Sequence, residues 1–587
     1  MKFYFLLFIL LLFLVCTFAQ AQSSDITLIP KVNYFGLATF ETINDDTDVP
    51  ATQTKISGEH ATTNDSLKWD TAYPLRSNGY PTGAIGVNVG GRSAEDTQVT
   101  TLGVPLNLPQ GGGADFSAFP AYLWDSVTLA PTTSGAGFAP SASVGHVDFM
   151  PWTRASLRDQ KLGLLSRATV SYDHDSQTYS LAHKEGPLAM VIGASTGLQR
   201  GFAGMVSGEI IKSNSSQVLI HFIGTDQTGD TPGSLTFRTP GATEHTKRYI
   251  PVIETGFKLG EGFEYQSTAF ADLSHLQFND PANASNSQTN TEQYGIENAL
   301  VHGSDTFALS ARYVRFNGAS YGALHDFPGY AAFTHEWLLS DEVSLKGSIN
   351  GTHTDGRSIA PGARLSAKFA ASEKTYSYSE MNTVAKLPNL IDRYAQYPSF
   401  GFHGNPDLNP ERVYAALVGY RYEQDSRVIL TQLKAEYRKS IQILSPDSTT
   451  VINGGDAYLI TLSHEFHAPL TNYIDAHYAG FFTYSKLKDL NTSYPDLPFA
   501  TAVLGLRGHY RDDYSMSANG RLVGVSAGPG GRAHDAYTLF EVEAAYQISK
   551  GVRVLGGIDN LFGSQGQAVL DYPVEGRRFF AALTALL

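Results

Sequence analysis

The stretch VYAALVGYRYEQDSRVILTQLKAEYRK, residues 413–439, decides the fold. It contains two segments of alternating character joined by the polar turn EQDSR. In the second segment one strand face is apolar, and the other carries Gln432, Lys434, Glu436 and Arg438. A row of four polar or charged side chains is difficult to bury in a soluble β-sandwich. It suits a strand with lipid outside and a wet lumen inside, so the stretch predicts a transmembrane β-hairpin.

The same pattern repeats outward from this hairpin, from residue 155 to residue 587. Tight turns are predicted at SDE (340–342), SEK (372–374) and SKG (549–551), and long loops at residues 279–293, 317–329 and 383–412. Short turns at one end and long loops at the other are typical of outer-membrane barrels. Counting the segments predicts an all-β transmembrane barrel of about 22 antiparallel strands.

The turn-rich motif GNPDLNPER, residues 404–412, closes the longest predicted loop. Its two prolines fix φ and cannot donate hydrogen bonds to a neighbouring strand, while asparagine and aspartate close local turns with their side chains. The motif therefore delays strand pairing until Val413, where a descending strand begins.

The N-terminus predicts export. Lys2 is followed by an apolar run over residues 3–15 and by Ala19-Gln20-Ala21, which is the pattern of a signal peptide spanning residues 1–21. Cys16 raises the alternative of a lipoprotein, but Val15 is bulky where that signal has a small residue. The chain has a single cysteine, so cleavage after Ala21 leaves none for disulfide or thiolate chemistry.

The charge balance and the motifs exclude several functional classes. Acidic residues outnumber basic ones by 56 to 42, which argues against a nucleic-acid partner bound through phosphate neutralisation. GVSAG, residues 524–528, fits the hydrolase pattern G-x-S-x-G, but PGGR follows it where a nucleophile elbow needs a helix. We therefore expect that the protein is not an enzyme. An exported chain of this composition is either a large soluble β protein or an outer-membrane barrel.

Residues 22–154 differ from the remainder because they lack long alternating runs and are rich in Gly, Pro, Ser and Thr. Two compact features, at 85–120 and 126–154, suggest short strands joined by glycine turns in a small α+β domain. Barrels of about 22 strands are typically plugged. The sequence therefore predicts that residues 22–154 form a plug domain inside the lumen of the barrel formed by residues 155–587.

Four ordered motifs carry a resemblance to a known family. VGGRSAEDTQVTTLGVPLN (89–107) and GHVDFMPWTR (145–154) are similar to the plug motifs of TonB-dependent outer-membrane receptors. GNPDLNPER and the C-terminal pattern GGIDNLFGSQGQ…DYPVEGRRFF are similar to their barrel motifs. Within this family of cobalamin and ferric-siderophore receptors, the short plug and compact loops resemble the cobalamin type. The chain departs from the family at Gly90, where arginine is usual, and at Leu102, where aspartate is usual.

The resemblance implies a function and partners. Such a receptor lies in the outer membrane of a Gram-negative bacterium, placed there by the barrel-assembly machinery and surrounded by lipid. It binds a small-molecule or metal-chelate substrate, cobalamin or a ferric siderophore, that is too large for porins. TonB, with its inner-membrane motor ExbB/ExbD, pairs with an N-terminal TonB box by strand addition and pulls the plug.

The resemblance also suggests site residues. The candidate TonB box is Asp25, Ile26, Thr27, Leu28 and Ile29, and the alternative is an ordinary frayed terminus. The candidate substrate contacts at the plug apex are Asn107, Leu108, Pro109, Gln110 and Gly111, and the alternative is a glycine turn inside the plug.

The segment GTDQTGDTPGS, residues 224–234, is a candidate cation site. Asp226 and Asp230 are expected on an extracellular loop, where carboxylate oxygens can take calcium. The alternative is a plain polar loop, and no other cofactor is expected.

Two other functions stay open at the level of sequence. A passive porin or channel would need an open lumen, which the plug motifs argue against. An adhesive β protein of the cell surface would need neither a plug nor a TonB box.

Overall fold

The structure is a computed structural model, and it describes residues between Thr52 and Leu586. The gaps within this range are residues 57–59, 61, 70, 78–84, 90–93, 109–112, 132–144, 159–163, 174–175, 198, 214, 232–238, 240, 284, 319–321, 355–358, 373, 398–401, 425–426, 446–448, 489–491, 495–496, 511–512, 528–532, 550 and 570–571. The predicted signal peptide lies outside the described residues.

The N-terminal domain is a small α+β unit. Its strands are β1 (Thr52–Lys55), β2 (Leu75–Ser77), β3 (Ile85–Val87), β4 (Thr97–Thr101), β5 (Val104–Pro105), β6 (Trp124–Ala130) and β7 (Gly145–Pro151). Its helices are α1 (Thr63–Leu67) and α2 (Trp152–Arg158), with short 3-10 turns at Ala94–Asp96 and Ala121–Leu123. Helix α1 begins where the Thr62 side chain accepts a hydrogen bond from the Asp65 amide at 3.2 Å, which satisfies a free N–H of the first turn.

Five of these strands form one mixed sheet in the order β1-β6-β7-β4-β5, in which only β4 and β7 run parallel among the described residues. Strand β4 consists of TQVTT, and its β-branched residues favour an extended chain. The sheet packs its apolar face into a core with aromatic side chains, where the Trp124 and Phe149 rings lie 5.1 Å apart. The largest core side chains here are Leu67, Leu106, Phe116, Phe119, Tyr122, Leu123, Trp124 and Phe149.

The remainder of the chain is a succession of antiparallel strands. The strands are β8 (Leu164–Asp173), β9 (Ser176–Glu185), β10 (Leu188–Gly197), β11 (Gln199–Lys212), β12 (Ser216–Asp230), β13 (Thr243–Gly260), β14 (Phe263–Asp280), β15 (Ser285–His302), β16 (Asp305–Gly318), β17 (Gly322–Asp326), β18 (Gly329–Leu338), β19 (Val343–His353), β20 (Ala360–Ala370), β21 (Tyr376–Lys386), β22 (Gln396–Tyr397), β23 (Phe402–His403), β24 (Glu411–Gln424), β25 (Arg427–Lys439), β26 (Gln442–Leu444), β27 (Val451–Asn453), β28 (Asp456–Thr471), β29 (Ile474–Leu487), β30 (Ala500–Tyr510), β31 (Tyr514–Val523), β32 (Ser526–Ala527), β33 (Ala533–His534), β34 (Tyr537–Ser549), β35 (Val552–Asp559), β36 (Gln567–Val569), β37 (Tyr572–Pro573) and β38 (Arg578–Leu586). A short helix, α3 (Leu390–Tyr394), lies between β21 and β22.

The strands close into a barrel because β38 pairs with β8 and returns the sheet to its start. The pairs β22–β23, β26–β27, β32–β33 and β36–β37 are small hairpins within loops. Strands β17 and β18 both pair with β16, so within the described residues they count as one interrupted strand, which gives 22 barrel strands. The predicted fold class, an all-β transmembrane barrel with an N-terminal plug, is confirmed. Among the described residues, no helix is long and apolar enough to cross a membrane.

The two faces of the barrel wall have the predicted character. In β25 the polar row faces the lumen, where Gln432, Lys434, Glu436 and Arg438 are each at most 4% exposed. Tyrosines on the outer face form two belts. At the loop end the rings of Tyr414, Tyr437 and Tyr458 stack in series at 6.0 and 5.3 Å. At the other end the Tyr514 and Tyr546 rings stack at 4.5 Å. Such belts mark the two surfaces of a bilayer.

The loop predictions are confirmed for the tight turns and wrong for two long loops. The predicted loop at residues 279–293 is largely strand, since β14 continues to Asp280 and β15 begins at Ser285. The loop predicted at residues 317–329 contains β17 and the end of β16. These polar segments are held extended by hydrogen bonds to neighbouring strands, although they have no alternating apolar face. Their composition therefore resembled that of a loop.

Candidate functional site

The candidate TonB box, Asp25 to Ile29, lies outside the described residues. Its role therefore stays a prediction.

The candidate apex residues are divided between the described and undescribed parts of the chain. Asn107 is 3% exposed, its Oδ1 accepts from the Val99 amide at 2.7 Å, and its Nδ2 donates to the Thr97 carbonyl at 2.9 Å. These bonds hold β4 against the chain that leaves β5. Leu108 is partly buried, and residues 109–111 lie outside the described part. Substrate contact at the apex stays a prediction.

The expectation that Asp226 and Asp230 lie on a loop is wrong, because both lie in strand β12. Asp226 contacts His245 at 2.7 Å and Lys247 at 3.3 Å, and Asp230 contacts Arg200 at 3.3 Å. Glycine, threonine and aspartate suggested a loop, but pairing with β11 and β13 keeps this stretch extended. Calcium binding stays a prediction, and a cation would have to compete with these three basic partners.

A buried ion network joins the plug to the barrel at Asp96. The Asp96 carboxylate accepts from Lys386 Nζ at 2.6 Å and from Arg438 Nη1 at 2.7 Å. Arg438 also contacts Glu411 at 2.9 Å and Glu436 at 2.8 Å. The side chains of Asp96, Arg438 and Glu411 are fully buried. Buried charges need partners with good geometry, and this network supplies them from strands β21, β24 and β25.

A second buried network holds the first plug helix. Lys68 forms ion pairs with Asp559 and, at 3.3 Å each, with Asp65 and Glu575. Arg578 contacts Asp65 and Asp559 at 2.7 Å and Glu575 at 2.6 Å. Burial alone would raise the pKa of Asp65, but Arg578 and Lys68 hold it well below its usual range. The three carboxylates lie within metal-binding distance of one another, yet two cations already balance them.

Arg521 on β31 extends this second contact to the plug backbone. Its guanidinium donates to the carbonyls of Lys68 at 2.7 Å, Thr71 at 2.6 Å and Tyr73 at 2.9 Å. Arginine presents several donors in a rigid fork, so one side chain can bind three nearby carbonyls of the plug backbone. The segment after α1 is therefore fixed to the barrel wall.

Strands β9 to β14 hold the plug mainly through apolar contacts. Tyr122 lies against Gly193, where a Cβ would come within 2.5 Å of the tyrosine Cζ, so only glycine leaves room for the ring. The tyrosine hydroxyl donates to the Ala203 carbonyl at 3.2 Å. The plug core continues without a break into inward-facing side chains of strands β9 to β14, which are Ala182, Ala189, Val191, Ala203, Met205, Ile223, Ile250, Val252 and Phe270.

Helix α2 joins the plug to this wall through a polar chain. Arg154 Nη2 contacts Glu254 at 2.9 Å, and Glu254 lies 3.3 Å from His221. His221 Nδ1 lies 2.7 Å from Ser207 Oγ, which is 2.7 Å from Thr153 Oγ1. Thr153 and Arg154 end the motif GHVDFMPWTR, so these motif residues fasten the end of the plug.

Two loops combine into a structure at the barrel mouth that we call the lid, defined as residues 387–397, 402–410, 440–445 and 449–455. The His403 amide donates to the Thr449 carbonyl at 2.8 Å, and the Asn409 amide donates to Asn453 Oδ1 at 2.8 Å. Gln442 Nε2 donates in turn to the Asn409 carbonyl at 3.2 Å. The two loops therefore form one hydrogen-bonded unit.

The motif GNPDLNPER organises this lid. A Cβ on Gly404 would come within 2.4 Å of the Tyr394 nitrogen, so only glycine can lie against the last turn of α3. The Asn405 amide donates to the Asp392 carbonyl at 2.8 Å, and Asn405 Nδ2 donates to the Val451 carbonyl at 3.1 Å. The motif thus joins helix α3 to the neighbouring loop before β24 begins.

The lid also packs on a part of the wall several strands away from its roots. Leu390 and Tyr394 of α3 contact Val314, Phe316 and Leu324 on strands β16 and β17. Phe316 is 1% exposed and Leu390 is 4% exposed, so this contact excludes water.

Solved structures share this architecture. The copper transporter OprC aligns with a TM-score of 0.75 at 14% identity, covering 92% of this chain and 100% of that chain. The ferric enterobactin receptor PfeA of Pseudomonas aeruginosa aligns with 0.75 at 14% identity, covering 93% and 99%. The siderophore receptor PirA of Acinetobacter baumannii aligns with 0.73 at 12% identity, covering 93% and 99%. No known protein family and no curated protein matches the sequence.

These proteins are receptors and transporters, and each is matched over nearly its whole length. The chain has the fold of TonB-dependent outer-membrane receptors. Within that receptor fold, the match to OprC, PfeA and PirA includes both the plug and the barrel, since it covers more than nine-tenths of this chain.

One departure from the receptor motifs has a local explanation. Leu102 has a φ of 53°, and Gly103 has a φ of 76°, at the turn between β4 and β5. Aspartate tolerates this left-handed region better than leucine, for which it costs about 1–2 kcal/mol. Leu102 is only 7% exposed and joins the plug core, so burial offsets the strain. Gly90, the other departure, lies outside the described residues.

Sequence reasoning missed the residues that hold the plug in this receptor fold. The polar row of β25 was correctly placed in the lumen, but its plug partner Asp96 gave no signal within the ordinary polar string SAEDTQ. Lys68 and Asp65 were equally inconspicuous. Asp559 and Arg578 lie within the C-terminal motifs of the resemblance, and their charges could have prompted a search for plug partners.

Proposed function

We propose that this chain is a TonB-dependent outer-membrane receptor for active import of a scarce nutrient into the periplasm. It is a transport protein with no enzymatic step of its own. Its location is the outer membrane of a Gram-negative bacterium, with lipid around the tyrosine belts and insertion by the barrel-assembly machinery.

The filled lumen is the observation that carries this proposal. The plug contacts the wall through buried ion pairs and a continuous apolar core. A passive porin needs an open lumen. A barrel whose lumen is filled by its own plug can transport a substrate only if the plug is displaced. Since no ATP is available at the outer membrane, the work has to come from a partner protein.

TonB with ExbB/ExbD is the proposed partner. We place its docking strand at Asp25 to Ile29, because an extended segment with β-branched residues near a free terminus can add to the edge of a partner's sheet.

The proposed substrate is a metal chelate or cobalamin. The names of the similar structures refer to copper, ferric enterobactin, siderophores and iron, which supports a metal or metal-chelate cargo. The short plug and compact loops support cobalamin. Both are anionic or polar molecules too large for porin diffusion.

Deletion of residues 25–29 tests the coupling. In a Gram-negative host lacking its own receptors, uptake of radiolabelled substrate should fall to the level of the empty vector, while surface binding of that substrate is unchanged. A deletion of equal length at residues 45–49 is the matched control and should transport normally. Uptake that survives loss of residues 25–29 would identify another docking segment or a passive route.

Direct binding to the purified receptor tests the substrate class. Cyanocobalamin and a panel of ferric siderophores would be titrated in detergent, with the metal-free siderophores as controls. Binding of one of these confirms the class, and binding only to a sugar or a peptide contradicts it.

A further inference from the structure

Asp96 lies where the plug meets the roots of the lid. Strand β21 ends at Lys386, β24 begins at Glu411, and β25 ends one residue after Arg438. These are three of the four strand ends from which the lid emerges. The Asp96 carboxylate contacts Lys386 at 2.6 Å and Arg438 at 2.7 Å, and Arg438 contacts Glu411 at 2.9 Å.

The two cations depend on Asp96 to different degrees. Arg438 also has Glu411 and Glu436 as partners. Among the described residues, Lys386 forms an ion pair with Asp96 alone, and it is 4% exposed. If the plug moved away with Asp96, the Lys386 ammonium would lose its ion-pair partner. Loss of one partner of a buried ion pair is strongly destabilising, so the packing at the root of the lid would change.

The lid can transmit such a change because it behaves as one unit. Its two loops share hydrogen bonds at Asn405 and Asn409, and the Gly404 amide donates to the Ala395 carbonyl at 2.7 Å. Its far end packs on Phe316. A shift at the root therefore acts on the whole lid rather than on one residue.

We propose that Asp96 is the positioning residue that couples the plug to the lid. The seated plug stabilises the closed lid, and the closed lid stabilises the seated plug by the same factor, since coupling between two sites is reciprocal. Displacement of either one weakens the hold on the other. The inference deepens the importer function proposed above and rests on it only for its physiological meaning.

The second ion network provides a matched comparison within the same molecule. Asp65 and Lys68 bind Asp559 at the end of β35 and Arg578 at the start of β38. These are the roots of a different loop, residues 560–577. Each network should therefore stabilise its own loop and leave the other unaffected.

Hydrogen exchange measured by mass spectrometry on the full-length receptor in nanodiscs tests the proposal. Asp96→Asn keeps the shape of the side chain and removes its charge. We expect amide exchange in lid residues 389–397 and 402–409 to rise about fivefold or more, the lower end of typical coupling factors. Exchange in residues 560–569 and 572–577 should stay within twofold of wild type. Asp65→Asn should give the reverse pattern.

Lys386→Met tests the same contact from the barrel side, so the test survives if Asp96→Asn does not fold. It should raise exchange in plug residues 94–101 together with the lid. Lid exchange within twofold of wild type in both variants, or equal loosening of both loops, would overturn the proposal. The measurement needs neither substrate nor TonB, so its failure is distinguishable from failure of the import assay.

Discussion

Two regions of the barrel wall hold the same plug mainly by different chemistry, although helix α2 also forms the buried Arg154–Glu254 ion pair with the first region. Strands β9 to β14 present alanine, valine, isoleucine and methionine, which merge with the plug core. Strands β21 to β38 present buried charges that meet Asp96, Asp65 and Lys68. Apolar contact is non-directional and scales with area. Buried ion pairs depend on geometry, and removing one partner leaves the other uncompensated.

The division follows the order of the chain. The plug residues of the two larger ion networks, at 65, 68 and 96, come before strand β4, whereas Tyr122 and Trp152 of the apolar contact and the ion-paired Arg154 come after it. A force applied at the N-terminus therefore reaches the ionic side first. The comparison teaches that the geometry-dependent contacts of Asp65, Lys68 and Asp96 lie nearer the N-terminus than Tyr122, Trp152 and Arg154.

The largest expected effect is on the ionic side. Arg438→Met should cost roughly 3–5 kcal/mol of local stability around Asp96, because Asp96, Glu411 and Glu436 lose their shared buried cation. The measurement is the opening free energy of residues 94–101 from native-state hydrogen exchange. Arg421→Met is the control, since Arg421 pairs with Glu423 at a site where both are about a quarter exposed. It should change stability by about 1 kcal/mol or less.

A smaller effect is expected on the apolar side. Met205→Ala should lower the stability of the plug by about 3 kcal/mol, because Met205 is 1% exposed and its removal leaves a cavity against the plug core. The urea midpoint for plug release reports this loss. Met516→Ala, on the outer surface where Met516 is 57% exposed, is the matched control. If both alanine variants have the same urea midpoint, the apolar contact between the plug core and strands β9 to β14 contributes nothing specific to plug retention.

The smallest expected effect is on the stability of the plug's own sheet, and it depends on His146 and not on the ion pairs with the wall. Burial lowers the pKa of His146 to about 4, and its Nε2 lies 2.9 Å from Thr100 Oγ1. The folded plug favours the neutral His146 ring. The stability that the neutral ring contributes to the folded plug is therefore complete above about pH 6.5 and is lost as the pH falls toward 4. At pH 5 the plug sheet should be less stable by about 2 kcal/mol.

Hydrogen exchange of residues 145–151 at pH 7 and pH 5, corrected for the intrinsic pH dependence of exchange, measures this change. His146→Gln should abolish it. A slope that persists in the variant would assign the titration to another group.

The sequence predicted the barrel because alternation is local and repeats in every strand. It placed the row from Gln432 to Arg438 correctly in the lumen, since the pleat alone decides which side each residue faces. It could not find Asp96, which lies 342 residues from Arg438 in the chain. A buried ion pair between distant segments leaves no periodic trace in either of them.

The errors about loops and the cation site have one physical cause. Residues 279–293 and Asp226 belong to stretches of β12, β14 and β15 where the side chains on both faces are mostly polar. There, hydrogen bonds to neighbouring strands maintain the extended chain without any help from apolar side chains. Rules that predict strands from alternating apolar and polar residues therefore miss these segments, although the strands continue through them.

The unequal strand lengths make the rim of the barrel uneven. Strands β13, β14 and β15 are each 18 residues long, whereas β30 and β31 have 11 and 10. On one side the rim is thus a continuation of the hydrogen-bonded wall, and on the other it is built from the lid and its neighbouring loops. A paired sheet keeps its outline, so any widening of the entrance is confined to the loop-built arc, which includes the strand ends that contact Asp96.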